Sequence, residues 1–297
     1  MKRGYLQILL AAVLFLLALG LTLYPVVSNW YIGRHQSRIQ TEYREVLEQT
    51  DSAEIESIRE SAAAYNKTIT PGAAEKAYSQ ESIRLAAEDY VNQVDVSGSG
   101  IMGYVEIPKI GADLPIYHGT GADSLDRGTG HLLGSSLPVG GESTHTIITG
   151  HSGMASQKMF TDLEQLREGD IFYLHVLDET LTYEVRKIHT VLPHDTTYLG
   201  IEPGEDLCTL VTCTPTGVNT HRLLVHGSRI PYVPTEETEA SAVLHEENTD
   251  SNWEKQYWLG VRLGLATMAT VVLLLSVYLF FRKKKTVKKK GGRYVRK

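Results

Sequence analysis

Two uncharged apolar runs, one near each end of the chain, limit what it can fold into. "LQILLAAVLFLLALGLTLY" spans Leu6–Tyr24 and "LGLATMATVVLLLSVYLFF" spans Leu263–Phe281. An apolar run of roughly 18 or more residues can cross a bilayer as a helix. The first exceeds the usual apolar core of a secretory signal, and no A-x-A cleavage site follows, so it reads as an uncleaved anchor. The second could be a buried core helix, but its length and basic tail favour a span. Lys2 and Arg3 precede the first run, and ten Lys and Arg with no acid follow the second in "RKKKTVKKKGGRYVRK". The positive-inside rule then puts both termini in the cytoplasm and everything between the spans outside the cell. All 35 acidic residues lie in that exterior part, against 17 Lys and Arg. Nucleic acid is a poor partner for so acidic a domain.

The texture between the spans divides the chain further. Residues 1–32 form the cytoplasmic tip and anchor, and 33–99 read as a helical region. Within it Ile39, Tyr43, Val46 and Leu47 repeat at helical spacing, as do Ile55, Ile58, Ala62 and Tyr65, with an interruption at Thr50–Ser52. Pro71-Gly72 ends this pattern, a short helix is expected over Gln80–Asn92, and "SGSG" closes the region. From 100 to 233 short runs rich in β-branched and aromatic residues alternate with Pro, Gly, Asn and Asp, which indicates an all-β barrel or sandwich. "YLHVLDETLTYEV" looks like a hairpin turning at Asp178-Glu179, and "MASQKMFTDLEQLREGD" reads as a helical insertion. Residues 234–257 are an acidic tether, 258–281 the second span and 282–297 the basic tail.

The chain has two cysteines, Cys208 and Cys213. An exterior domain suggests a disulfide. On one strand, however, five residues at about 3.3 Å each separate them by about 16 Å, whereas a disulfide needs Cα atoms within about 7 Å. Cys213 ends the apolar run "TLVTC" and Arg222 opens the next one after a Pro-, Gly- and Asn-bearing loop. Paired as a hairpin, the two strands bring Cys213 and Arg222 together, a thiol beside a group able to hydrogen-bond an oxyanion. Spacing alone fits equally a buried small hydrophobe and a surface cation. Among eleven histidines His151, at the strand-to-loop edge "TGHSG", is best placed for proton transfer. His221 lies next to Arg222 on the opposite strand face, and His118, His131, His145 and His226 are weaker candidates. No CxxC or HExxH spacing suggests zinc.

The segment "TLVTCTPTGVNTHRLL" resembles the sortase signature, a TLxTC strand with a downstream arginine, and "TGHSG" resembles the sortase histidine motif. "GYVEIPKIGADLPIYHG", "GHLLGSSLPVGGESTHTIITGH", "MFTDLEQLREGD" and "NTHRLLVHGSRIPY" are similar to the pilin-polymerising, class C members, as are the two flanking spans. The resemblance covers roughly residues 100–232. It implies an all-β core, an eight-stranded sortase-type β-barrel with N-terminal helices and two flanking transmembrane helices. It implies Cys213 as nucleophile, His151 as general acid/base and Arg222 as oxyanion or substrate stabiliser, with no metal or organic cofactor. The implied substrate is a surface protein or pilin bearing an LPxTG-like signal, and the acceptor an amine, either a pilin lysine or a peptidoglycan stem. Attachment of proteins to the cell wall is the alternative within this chemistry. A papain-like hydrolase, which needs a helix after the cysteine, and a non-enzymatic surface-assembly module are more distant. Class C sortases usually carry a lid with an Asp-Pro-aromatic motif. "YNKTITPGAAEKAYSQES" has Pro71 without those neighbours, which leaves either an open groove or occlusion by another residue such as Tyr78.

Overall fold

In the computed structural model, residues 2–69, 72, 89–154, 157–232, 258, 261–273 and 276 are described. The chain divides into two compact units, Met1–Val27 with Glu254–Lys297, and Ser28–Trp253. The first apolar run lies within helix α1 (Lys2–Gln49), and residues 261–273 of the second segment are helical. Among the described residues no helix is long and apolar enough to cross a membrane. The Pro71 break, most of the expected Gln80–Asn92 helix, Tyr78, the acidic tether and the basic tail lie outside the described residues.

The interruption at Thr50–Ser52 is a helix boundary. Helix α2 (Ser52–Thr68) starts where Asp51 turns extended and its carboxylate accepts from the Ala53 N–H, which satisfies an orphan donor of the first turn. Ile55, Ala62 and Asn66 are its buried residues, one stripe at helical spacing. Asn66 fastens α2 to the next domain layer: its Nδ2 donates to Leu137 O (3.2 Å) and its Oδ1 accepts from Leu137 N (2.7 Å). On α1, Ile39, Tyr43 and Leu47 pack with Ile101, Tyr104 and Tyr117. Tyr43 is buried there, and burial pushes its hydroxyl up to about 12.

Eight strands follow: β1 (Ile101–Ile107), β2 (Ala112–His118), β3 (Thr129–His131), β4 (Thr144–Thr149), β5 (Ile171–Val176), β6 (Glu179–Val191), β7 (Asp206–Thr214) and β8 (His221–Ile230). They close as β1-β2-β3-β4-β7-β8-β6-β5, with antiparallel β1–β5 pairing completing the ring. Closure leaves no edge strand to template aggregation. Two neighbours run parallel, β2–β3 and β4–β7. A short helix α3 (Ala122–Leu125) connects β2 to β3. The interior takes Met102, Val105, Ile107, Ile116, Ile148, Leu174, Cys208, Leu210 and Val225, mostly β-branched or aliphatic residues at period two.

Two expectations are corrected. The β5–β6 hairpin turns at Leu177-Asp178, because Val176 pairs with Glu179. Leu177 sits at φ 53°, so a residue that looks like strand is the turn. The described residues of "MASQKMFTDLEQLREGD" form no α-helix but turns, with one 3₁₀ turn at Leu163–Gln165. Its Met159, Phe160, Leu163 and Leu166 are all buried in the barrel core, and that packing overrides helix propensity.

Candidate active site

Strand β7 alternates. Cys208 and Leu210 face the barrel interior, so Val211 and Cys213, at odd offset, face outward. The two cysteines are free. Cys208 is fully buried, and burial with Asp206 nearby pushes its thiol well above the usual range, which keeps it an unreactive thiol. Cys213 is half-buried at the strand's end.

The β7–β8 hairpin sets Cys213 directly opposite Arg222, and Thr214 opposite His221. This is the juxtaposition expected from the sequence. Pro215 O accepts from the amides of Val218 (2.9 Å) and Asn219 (3.0 Å), which closes the connecting loop. Asn219 takes the left-handed conformation at φ 63°, a role asparagine tolerates. Arg222 Nη1 donates to His221 O (3.1 Å) and Asn219 O (3.4 Å), so the guanidinium is held at the mouth of the hairpin.

His151 follows the end of β4, whose parallel register runs to Thr149 opposite Val211. Gly150 N–H donates to Val211 O (3.0 Å) and Phe160 N–H to His151 O (3.0 Å). Thr212 Oγ1 donates to Gly150 O (2.8 Å) and Ser152 Oγ to Cys213 O (2.6 Å). The backbone of His151 is therefore tied on both sides to the strand end that carries Cys213. Glycine is required at 150, where a Cβ would lie 2.6 Å from the Phe160 ring. Gly153, at φ 71°, brings the histidine loop against Thr216 and Gly217 of the hairpin loop.

An open groove leads to this corner. Ile147, Val191, Val211 and Leu224 form its apolar floor, Pro193 and Leu199 of the β6–β7 connection wall it, and Arg222 lines it. Cys213 stands beyond the groove's floor, opposite Arg222. Such a groove suits an extended apolar peptide segment, and a thiol, an imidazole and a guanidinium on three neighbouring strand ends are what acyl transfer through sulfur uses.

The remaining histidines are placed elsewhere. His118 bonds Gly100 O and Gln93 O, and His131 is buried against Tyr90 and Ser136 O. His145 and His226 share Thr209 on the outer face of β7, remote from the hairpin mouth in register. His221 bonds Thr220. Among the described residues no group of three or more His, Cys, Asp or Glu is arranged to hold a metal. Sequence reasoning missed Ser152, Thr212 and the bond from Thr214 Oγ1 to Glu164 Oε1 (2.6 Å), which tie the site together. Lone hydroxyls leave no periodic signal, and only adjacency to His151 and Cys213 could have singled these three out.

A family profile for the sortase domain matches residues 105–230. Sortase C1 from Streptococcus agalactiae is 43% identical, with a TM-score of 0.60 covering 66% of this chain and 100% of that one. Sortase C of Streptococcus pneumoniae, whose structure bears on catalysis and pilin substrate specificity, is also 43% identical, with a TM-score of 0.58 over 67% of this chain and 100% of its own. Sortase D of Bacillus subtilis is 33% identical over 131 residues, 43% of this chain and 63% of that protein. With this barrel, this hairpin and these relatives, the chain belongs to the sortase family of cysteine transpeptidases, and class C sortases are among its structural neighbours.

Proposed function

We propose that the chain is a membrane-anchored transpeptidase that cuts an LPxTG-like sorting signal between Thr and Gly and joins the new acyl end to an amine. The observation that carries this is the pairing of Cys213 with Arg222 beside the backbone-tethered His151, at the end of an apolar groove. The Cys213 thiol gives its proton to His151 and its sulfur attacks the threonine carbonyl carbon. Arg222 donates hydrogen bonds to the oxyanion that forms. The Thr–Gly C–N bond breaks as His151 returns the proton to the leaving glycine amine, leaving a thioester on Cys213. An amine then attacks the thioester carbonyl, the C–S bond breaks, and the amine's proton passes through His151 back to the Cys213 sulfur. The products are a new amide and free enzyme.

The acceptor is a lysine of the next pilin subunit, a reading supported by likeness to class C sortases of which one concerns pilin specificity. Membrane anchoring rests on the two uncharged runs and their basic flanks, with the catalytic barrel outside the cell and both termini in the cytoplasm. The test is intact-mass spectrometry of the full-length chain in detergent with a Leu-Pro-Glu-Thr-Gly peptide. An acyl adduct on Cys213 that a lysine-bearing pilin peptide discharges is expected, and is absent in Cys213→Ala. Discharge by a peptidoglycan-stem amine but not by lysine would assign cell-wall attachment instead. Failure to form any adduct across several sorting sequences would sink the assignment.

A further inference from the structure

We infer that Ser152 is a positioning residue, whose hydroxyl sets the spacing between His151 and Cys213. The inference rests on the acid/base and nucleophile roles proposed above and adds a residue to them. The reason lies in how β4 ends. In a parallel ladder, bonds from one strand recur every two residues. Gly150 N–H donates to Val211 O, the last backbone rung given between these strands. Continued, the ladder would set Ser152 N–H against Cys213 O. By then the chain has left β4, and the Ser152 hydroxyl makes that bond at 2.6 Å. A side chain thus takes over a rung, so residue 151 escapes the strand's strict alternation while its neighbour stays anchored to the cysteine's own carbonyl.

The bond is well protected. Ser152 is 9% exposed, so water competes little for the hydroxyl. The preceding residue is anchored in the same way, by Thr212 Oγ1 to Gly150 O, and His151 O is held by Phe160 N–H. Of these anchors, Ser152 alone reaches the backbone of Cys213 itself. Without it, the histidine loop keeps its ties at Gly150 and, through Gly153 N–H, to Thr161 Oγ1 (3.0 Å), yet loses the one that reaches the backbone of the nucleophile. A displacement of reacting groups by an ångström is the kind of change that acts on the chemical step rather than on peptide binding in a groove formed by other residues.

The experiment compares wild type, Ser152→Ala, Ser152→Thr and His151→Ala as full-length protein in detergent. It measures steady-state cleavage of a fluorogenic Leu-Pro-Glu-Thr-Gly peptide, thermal melting, and the rate of Cys213 alkylation by iodoacetamide at pH 7. Ser152→Ala is expected to lower kcat roughly 10- to 100-fold with KM nearly unchanged. Its alkylation rate should move toward that of His151→Ala, and Ser152→Thr, which keeps the hydroxyl, should restore both. A Ser152→Ala protein with wild-type kcat and alkylation rate overturns the inference. So does a protein whose loss tracks only a lower melting temperature and is not rescued by threonine. If instead wild type and His151→Ala react alike with both peptide and iodoacetamide, the cysteine–histidine reading itself fails, and this inference falls with it.

Discussion

Arg222 illustrates how one side chain's shape, beyond its charge, matters in this corner. Its Nη1 is already committed to the carbonyls of His221 and Asn219, so the planar fork is aimed before substrate arrives. Pre-aimed donors stabilise a developing oxyanion without reorganising. We therefore expect Arg222→Ala to lower kcat by about 10²–10³-fold. Arg222→Lys should recover little, because an ammonium on a flexible stem cannot reproduce both the carbonyl contacts and the fork. Steady-state peptide cleavage distinguishes the two, and a lysine variant at wild-type rate would mean that charge alone suffices. The pairing of Cys213 with Arg222 was legible as a hairpin, since turn residues separate a run closed by a lone cysteine from one opened by an arginine, but spacing alone also suited a buried small hydrophobe and a surface cation, and the chemistry needed the resemblance. His151 stood out at its strand-to-loop edge, but a solvated loop histidine fits the same residues, and its role needed the family resemblance. Ser152 was invisible, because its meaning comes from a strand 61 residues away.

At the scale of elements, local signals were read well where one residue type does one job. The α1–α2 break was legible because Asp51 caps a helix in the ordinary way. The β5–β6 turn was placed too late because Leu177, an apolar residue, occupies a left-handed position. The 3₁₀ turn at Leu163–Gln165 looked helical because core residues there happen to fall at helical spacing. The face by which α2 docks was legible in Ile55, Ile58, Ala62 and Tyr65, which join or pack against the core, but its fastening by Asn66 to both polar groups of Leu137 was not. Leu137 O has another donor in Thr146 Oγ1 (3.3 Å), so the N–H is the group at stake. Asn66→Ala is expected to cost about 1–3 kcal/mol, the penalty for stranding a buried donor. Urea unfolding followed by circular dichroism measures it. A loss below about 0.5 kcal/mol would show that the apolar stripe of Ile55 and Ala62 holds the helix by itself.

For the whole molecule, many short strands indicated a β-barrel or sandwich, but neither its closure nor the order of strands. The parallel β4–β7 pairing joins segments separated by a long stretch of chain, and no local pattern encodes it. That pairing also buries imidazoles. Gly200 O can only accept, so His145 Nδ1 donates to it (2.7 Å), and neutral His145 accepts from Thr209 Oγ1 (2.6 Å). Thr209 in turn accepts from His226 Nδ1 (2.8 Å), which leaves His226 Nε2 buried without a partner among the described residues. A proton there would bury a charged N–H donor that has no acceptor among the described residues. Burial, with His145, His189 and Arg186 nearby, lowers His226 to about 3 against the pull of Glu202. Burial chiefly lowers His145 too, opposed by the Gly200 carbonyl and Glu202. His131, buried beside Tyr90 and near His118, is lowered to about 4, with Ser136 O opposing. Each folded value lies below the 6.5 of an unfolded histidine. Between the two values the unfolded chain binds more protons, so stability is fully present above about pH 6.5 and declines as pH falls toward the folded values. Each of these histidines contributes a slope of up to roughly 1.4 kcal/mol per pH unit. Urea midpoints of the full-length chain should therefore fall steadily from pH 7 to pH 5, above the range where most carboxylates titrate. His226→Gln, which cannot take up the proton, should make the decline shallower. A flat or rising midpoint across that interval would mean that these imidazoles do not stay neutral in the folded barrel.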